Sequence, residues 1–163
     1  MLAGVVVFWL LGGFRQAPGG SGASAPPRPQ STAPVSVAAP PLSAEQAAAC
    51  RALIARLPAT LDGLPRRPVT QGTGQNAAYG DPPVTLACGA APVPSNVTEQ
   101  PFELSGVCWY PLRRADATVW TTMDRQVPVA VTVPASYEPP GKWVIELSAP
   151  VRAAVPAAPT RCR

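Results

Sequence analysis

Residues 127–133 read Val-Pro-Val-Ala-Val-Thr-Val, and this stretch decides the fold class. Val127, Val129, Val131 and Val133 fall on one side of an extended chain, with Ala130 and Thr132 on the other. The period of two belongs to a half-buried β-strand and not to a helix. Pro128 lacks a ladder N–H, so the strand is expected either at a sheet edge or to begin just after the proline. Upstream, residues 118–122 are rich in β-prone types and pair with it around Met123-Asp124-Arg125-Gln126. Val84, Leu86 and Cys88 alternate, and residues 102–110, with Cys108 and Trp109, read as a longer strand. About four antiparallel strands result.

Helical spacing flanks these strands. Ser43 with Gln46 three residues on forms a capping box, and Cys50, Leu53, Ile54 and Leu57 share one face before Pro58 ends the helix. Near the other terminus Val144, Leu147, Val151, Ala154 and Val155 return to a helical period, with Ser148 and Pro150 marking a break and restart. Residues 57–68, with three prolines and Gly63, read as an irregular connection, and 69–83 as a polar, Gly-rich loop. Gly72-Thr73-Gly74 in that loop has no following Lys-Ser/Thr, so it is a surface loop and not a phosphate cradle. The expected class is α+β: a small antiparallel sheet flanked by an N-terminal and a C-terminal helix.

Composition limits what such a domain can do. Hydrophobic residues make up 47% of the 163, yet aromatics are only 6%, so the core is built from small side chains and gains from covalent cross-links. The formal charge is +4, but Arg15 and Arg28 precede the domain and leave it at +2. Nucleic-acid binding needs a basic stripe; Arg66-Arg67 and Arg113-Arg114 are short and far apart in sequence, so no nucleic-acid partner is expected. Histidine is absent. That removes Ser-His-Asp and Cys-His nucleophiles, His-ligated zinc and haem, and the commonest general base near neutral pH. No cofactor or metal motif is present.

Residues 1–16 contain an apolar run, LAGVVVFWLLGGF at 2–14, which as a helix reaches about 20 Å of a hydrocarbon core about 30 Å thick. It reads as a signal or anchor segment, with Ala23-Ser24-Ala25 as a small-x-small cleavage site hindered by Pro26. No basic residue precedes the run, as expected if the true start lies further upstream. Residues 17–41, with seven prolines, are expected to be a disordered linker, and 42–163 the folded domain. Four cysteines at 50, 88, 108 and 162 lack metal-ligand spacing, and in an exported chain an even count predicts two disulfides. Three connectivities are possible; the preferred one joins Cys50 to Cys88, pinning the first helix to the first strand, and Cys108 to Cys162, tethering the tail to the sheet.

The stretches CRALIARLPATLDGLPRRPV (50–69), AAYGDPPVTLACG (77–89), GVCWYPL (106–112), VWTTMDRQVPVAVTVPASYEPP (119–140) and ELSAPVRAAVP (146–156) together resemble the exported actinobacterial family called domain of unknown function 3515. The resemblance implies an envelope-facing protein with a hydrophobic N-terminal segment and a bridge of the Cys50 to Cys88 type, with Cys108 and Cys162 as a local addition. It implies no activity.

Four polar groups beside aromatics or between strands are candidates for ligand contact: Asp81 after Tyr79-Gly80, Arg113-Arg114-Asp116, Asp124-Arg125, and Glu138 after Tyr137. Asp124-Arg125 has the chemistry to grip an anion, and Trp109 with Trp120 to stack on a sugar, although turn charges are usually just solvated and strand tryptophans usually core. Tether, disulfides and absent catalytic types point to a non-enzymatic, extracytoplasmic module, held to the membrane by residues 2–14 or secreted, that binds an envelope protein or wall component. The alternatives are a hydrolase of wall carbohydrate or peptide using Asp81, Asp116 or Glu103, and a structural spacer.

Overall fold

The computed structural model describes residues 29–160 and 162. The signal or anchor segment, Ala23-Ser24-Ala25 and the first part of the linker lie outside them. Among the described residues no helix is long and apolar enough to cross a membrane.

The chain runs α1 (Ala44–Arg56), β1 (Thr60–Leu61), β2 (Leu64–Arg67), β3 (Asn76–Tyr79), β4 (Val84–Cys88), β5 (Phe102–Leu104), β6 (Val107–Arg113), β7 (Ala117–Thr122), β8 (Val129–Pro134) and α2 (Gly141–Ala154). The strands form one antiparallel sheet in the order β1-β2-β3-β4-β8-β7-β6-β5. Each half of the chain is thus a four-strand meander, and the halves meet where β4 pairs with β8. The class is α+β as expected, with eight strands in place of about four.

The extra strands have identifiable causes. The connection expected to be irregular at 57–68 is a hairpin: Leu61 faces Leu64 across Asp62-Gly63, and both turn residues have positive φ, 45° and 81°. This is a two-residue turn whose twist matches the strands, and Asp-Gly is one of its preferred sequences. The single strand expected at 102–110 is folded on itself in the same way at Ser105-Gly106, with φ of 51° and 77°. β3 lies in the stretch expected to be a loop, because its Asn-Ala-Ala-Tyr sequence carries little hydrophobic signal although all four residues are buried.

β8 begins at Val129, just after Pro128, and is a central strand and not an edge. Its valines at 129, 131 and 133 are fully buried and meet Leu86 of β4 and Trp120 of β7. Both helices cover this face. α1 starts at the expected capping box, Ser43 Oγ accepting from Gln46 N and Gln46 Oε1 from Ser43 N. α2 is continuous through the expected break. Pro150 removes only the bond to the carbonyl of Glu146, an exposed residue where water can replace it, while Ser148 Oγ donates to Val144 O inside.

The opposite face of the sheet is partly covered by residues expected to belong to the disordered linker. Val35 and Val37 are buried against Ala78, with Val69 and Ala87 alongside, and Val35 forms a parallel bridge to Val69. Arg67 holds this strap from below through Ala33 O, and Asn76 Nδ2 through the carbonyls of Val37 and Ala38. Two alternating valines and exposed backbone suffice to dock a Pro-rich segment against the sheet.

Cys50 is bonded to Cys88 and Cys108 to Cys162. The first bridge links α1 to the helix-covered face of β4. The second brings the tail under β6 after residues 156–158 have paired with the 124–126 loop. Two disulfides are the mark of an oxidising, extracytoplasmic environment.

Replacing Cys50 and Cys88 together by Ala releases a 38-residue separation, and a loss of about 4 kcal/mol with a Tm lower by on the order of 10 °C is expected. Thermal melts of the double variant check this; an unchanged Tm would remove the bridge from the stability account. Tyr79 supplies a pH signature. Burial raises its phenol above the ordinary 10.0, opposed by Arg66 and assisted by Glu146, while its hydroxyl donates to Pro58 O. The native state keeps the proton where the unfolded chain loses it, so this stabilisation is whole below about pH 10 and is lost as pH rises through the native pKa. Urea midpoints across that range should fall less steeply for Tyr79→Phe than for the wild type.

Candidate functional site

Antiparallel register collects three connections at one end of the sheet: the β3–β4 turn with Asp81, the β6–β7 turn at 114–116, and the segment from β8 to α2. At this end Arg113, Thr118 and Val133 lie side by side on β6, β7 and β8, on the face that the helices cover elsewhere. α2 stops short of this row. Its first residue, Gly141, sits against the six-membered ring of Trp120, one step further in; a Cβ there would lie 3.8 Å from Cζ2. Val133 is still buried, but the Arg113 and Thr118 part of the row lies open, leaving a cavity of about 250 Å³ lined by Arg113, Arg114, Thr118, Pro134, Glu138 and Pro140, among others.

A second cleft of about 210 Å³ lies on the other side of Arg113, between Phe102, Pro111 and Gln100. It opens because β5 is only three residues long, so β6 has no second neighbour beyond Trp109. Phe102 is 47% exposed, and its ring meets Trp120 edge-on at 5.9 Å. Arg113 is thus common to two adjoining clefts.

The electrostatics of this end are open. Arg113 and Arg114 are exposed, and neither guanidinium has an ion pair or hydrogen bond to a described residue. Pro140 caps α2 without a side-chain acceptor, and no acidic residue occupies the first turn. The positive end of the helix dipole is left without an acidic side chain of its own helix beside it. Trp120 is only 6% exposed, and its indole N–H has no partner among the described residues. Glu138 is the one carboxylate lining the larger cavity.

The other expected contacts have different surroundings. Trp109 is fully buried and donates to Ser148 Oγ at 3.0 Å, which makes it core and unavailable for stacking. Asp124 and Arg125 lie at the opposite end, joined at 3.1 Å. Arg125 reaches Gly106 O and Val155 O, and Asp124 Oδ1 accepts from Cys108 N, so the pair locks the β5–β6 turn, the tail and α2 together. Asp81 stands 3.8 Å from the buried Arg67 guanidinium, beside the Val35 strap. A further cleft of about 320 Å³ near Gln126 is lined by Ser43 and Gln46, whose polar groups already cap α1.

The carboxylates considered for hydrolysis do not converge. The Asp81 and Asp116 turns are three strand spacings apart, roughly 14 Å at about 4.8 Å each, beyond the 5–9.5 Å or so of glycosidase pairs. Glu103 lies on edge strand β5, opposite Cys108. Of the four polar groups singled out from sequence, the cavity brings together Arg113-Arg114 and Glu138. Phe102, Thr118 and the start of α2 carried no individual signal.

A match over residues 5–160 spans nearly the whole chain. The chain belongs to the family described as protein of unknown function (DUF3515). The DUF3515 match takes in every strand, both helices and the Arg113 clefts, and stops just before Cys162. No curated protein and no solved structure matches the chain.

Asp124→Ala leaves a buried guanidinium without its carboxylate, and a loss of about 3 kcal/mol is expected. Combining it with Arg125→Met removes both charges and should cost less than Asp124→Ala alone. Denaturant midpoints of the two variants check the ordering; the reverse order would show that Arg125 acts through its carbonyl contacts and not through the pair.

Proposed function

We propose that this chain is a non-enzymatic binding module of the cell envelope, tethered by residues 2–14 or released after cleavage, that engages an envelope protein or wall component through the clefts at Arg113. The reading is carried by one observation: two neighbouring arginines without partners among the described residues stand at the junction of two clefts, beside an exposed Phe102. Unpaired arginine next to exposed aromatic surface is the composition of binding hot spots. The separation of the acidic residues supports binding over hydrolysis, and the disulfides support a rigid surface outside the reducing cytoplasm.

The test is site-specific photo-cross-linking of the full chain in its native cells. A photoreactive side chain at Ala115, in the lining of the larger cavity, is expected to give a discrete adduct, and one at Ala149, exposed on α2, none. Arg113→Ala with Arg114→Ala should abolish the Ala115 adduct. Absence of adducts at both positions, with normal growth of a deletion strain under wall stress, would overturn the proposal in favour of a spacer.

A further inference from the structure

We infer that the cavity between Arg113, Arg114 and Glu138 receives a zwitterionic group of amino-acid type, its carboxylate toward the arginines and its ammonium toward Glu138. This rests on the binding reading above and names the ligand chemistry of the same site. The lining holds two guanidinium groups and one carboxylate, yet Glu138 pairs with neither arginine. The three charges come from separate elements: the end of β6, the β6–β7 turn and the β8–α2 segment. Backbone hydrogen bonds fix those elements, Arg114 N donating to Ala117 O and Ala135 N to Asp116 O, both at 2.8 Å.

Charges of opposite sign held apart across a cavity select a ligand whose own charges are opposite and separated. A simple anion meets Glu138 as a repulsive neighbour, and a simple cation meets both arginines. A carboxylate gains charge-assisted bonds from the guanidinium groups, and the uncapped start of α2 adds to the attraction. Size points the same way. The cavity of about 250 Å³ falls below the 300–1,000 Å³ or so of drug-sized pockets. An amino-acid head fits within this volume. The Phe102 cleft beyond Arg113 is placed to hold the continuation of a longer ligand.

Two sources share this chemistry: a free amino acid, and the side-chain end of a wall peptide containing a diamino dicarboxylic acid. The experiment is an amide NMR titration of the full, disulfide-intact chain with five probes: alanine, N-acetylalanine, alaninamide, inorganic phosphate, and a short peptide bearing such a diamino dicarboxylic side chain. Alanine or the peptide should shift the amides of Arg114, Thr118 and Gly141, with N-acetylalanine and alaninamide binding at least tenfold more weakly. Tighter binding of the peptide than of alanine assigns the wall as source, and equal binding a free amino acid. Glu138→Gln should weaken alanine several-fold while sparing N-acetylalanine, and Arg113→Ala with Arg114→Ala should weaken both. Phosphate binding as tightly as alanine, or indifference of alanine to Glu138→Gln, would make this a plain anion site and overturn the inference. No shift with any probe while the Ala115 adduct persists would overturn the ligand class and leave the binding module standing; loss of both would remove both.

Discussion

The β4–β8 ladder is the constraint on which the rest of the molecule depends. Each half of the chain pairs its own strands in antiparallel succession, and the halves join in the sheet along residues 85–88 and 129–132, with Gly89 N and Ala90 N donating to Pro128 O just beyond. The side chains that seal this seam are small: Val84, Leu86 and Cys88 on one strand, Val129, Val131 and Val133 on the other, all fully buried. Valine-sized groups bury less apolar surface than leucines or aromatics, so the seam gains from the restraints around it. Cys50–Cys88 fastens α1 to the seam, and α1 packs on α2 from the other half.

From that seam the two ends of the sheet acquire opposite characters. At the Met123 end, Arg125 is buried beside the partly buried Asp124, and each nitrogen of the guanidinium donates to a carboxylate or a carbonyl. At the Asp81 end, Arg113 and Arg114 are left to solvent, α2 begins too late to cover Arg113 and Thr118, and β5 is too short to flank β6 beyond Trp109. The Arg125 guanidinium serves the fold, while those of Arg113 and Arg114 have no partner among the described residues. Proteins place binding groups on such rigid margins because the scaffold holds them without consuming their hydrogen-bonding capacity.

Much of the architecture was legible, and the omissions are instructive. Ser43 with Gln46 announced α1, and alternating valines announced β8, because each depends on neighbours a few residues away. Asp62-Gly63 was an equally local signal; the surrounding prolines obscured it, since Pro65 reads as a breaker until β2 is seen to lie near the sheet margin beside the two-residue β1. Asn76, Ala77 and Ala78 gave no hydrophobic pattern, yet they are buried because neighbouring β4 and the Val35 strap enclose them. The strap itself looked like linker, as Pro and Ala dominate its composition. Trp109 and Trp120 were indistinguishable as strand tryptophans; both are buried, and only the position of α2 bonds one to Ser148 and sets Gly141 against the ring of the other.

The sequence by itself determined the redox character, the α+β class, the capped first helix and the exclusion of histidine chemistry, since these follow from residue identity or from periods shorter than a dozen residues. Of the three cysteine pairings open to the sequence the structure has the preferred one, and only the tertiary structure decided the strand order and which charges share a cavity. Arg113 and Glu138 are twenty-five positions apart (138 minus 113) and carry no mutual spacing rule. They line one cavity because β7 and β8 return the chain twice across the sheet and deliver the β8–α2 segment back to the end where β6 finished. That return is set by long-range pairing, whose cooperative energetics no local pattern in the chain records.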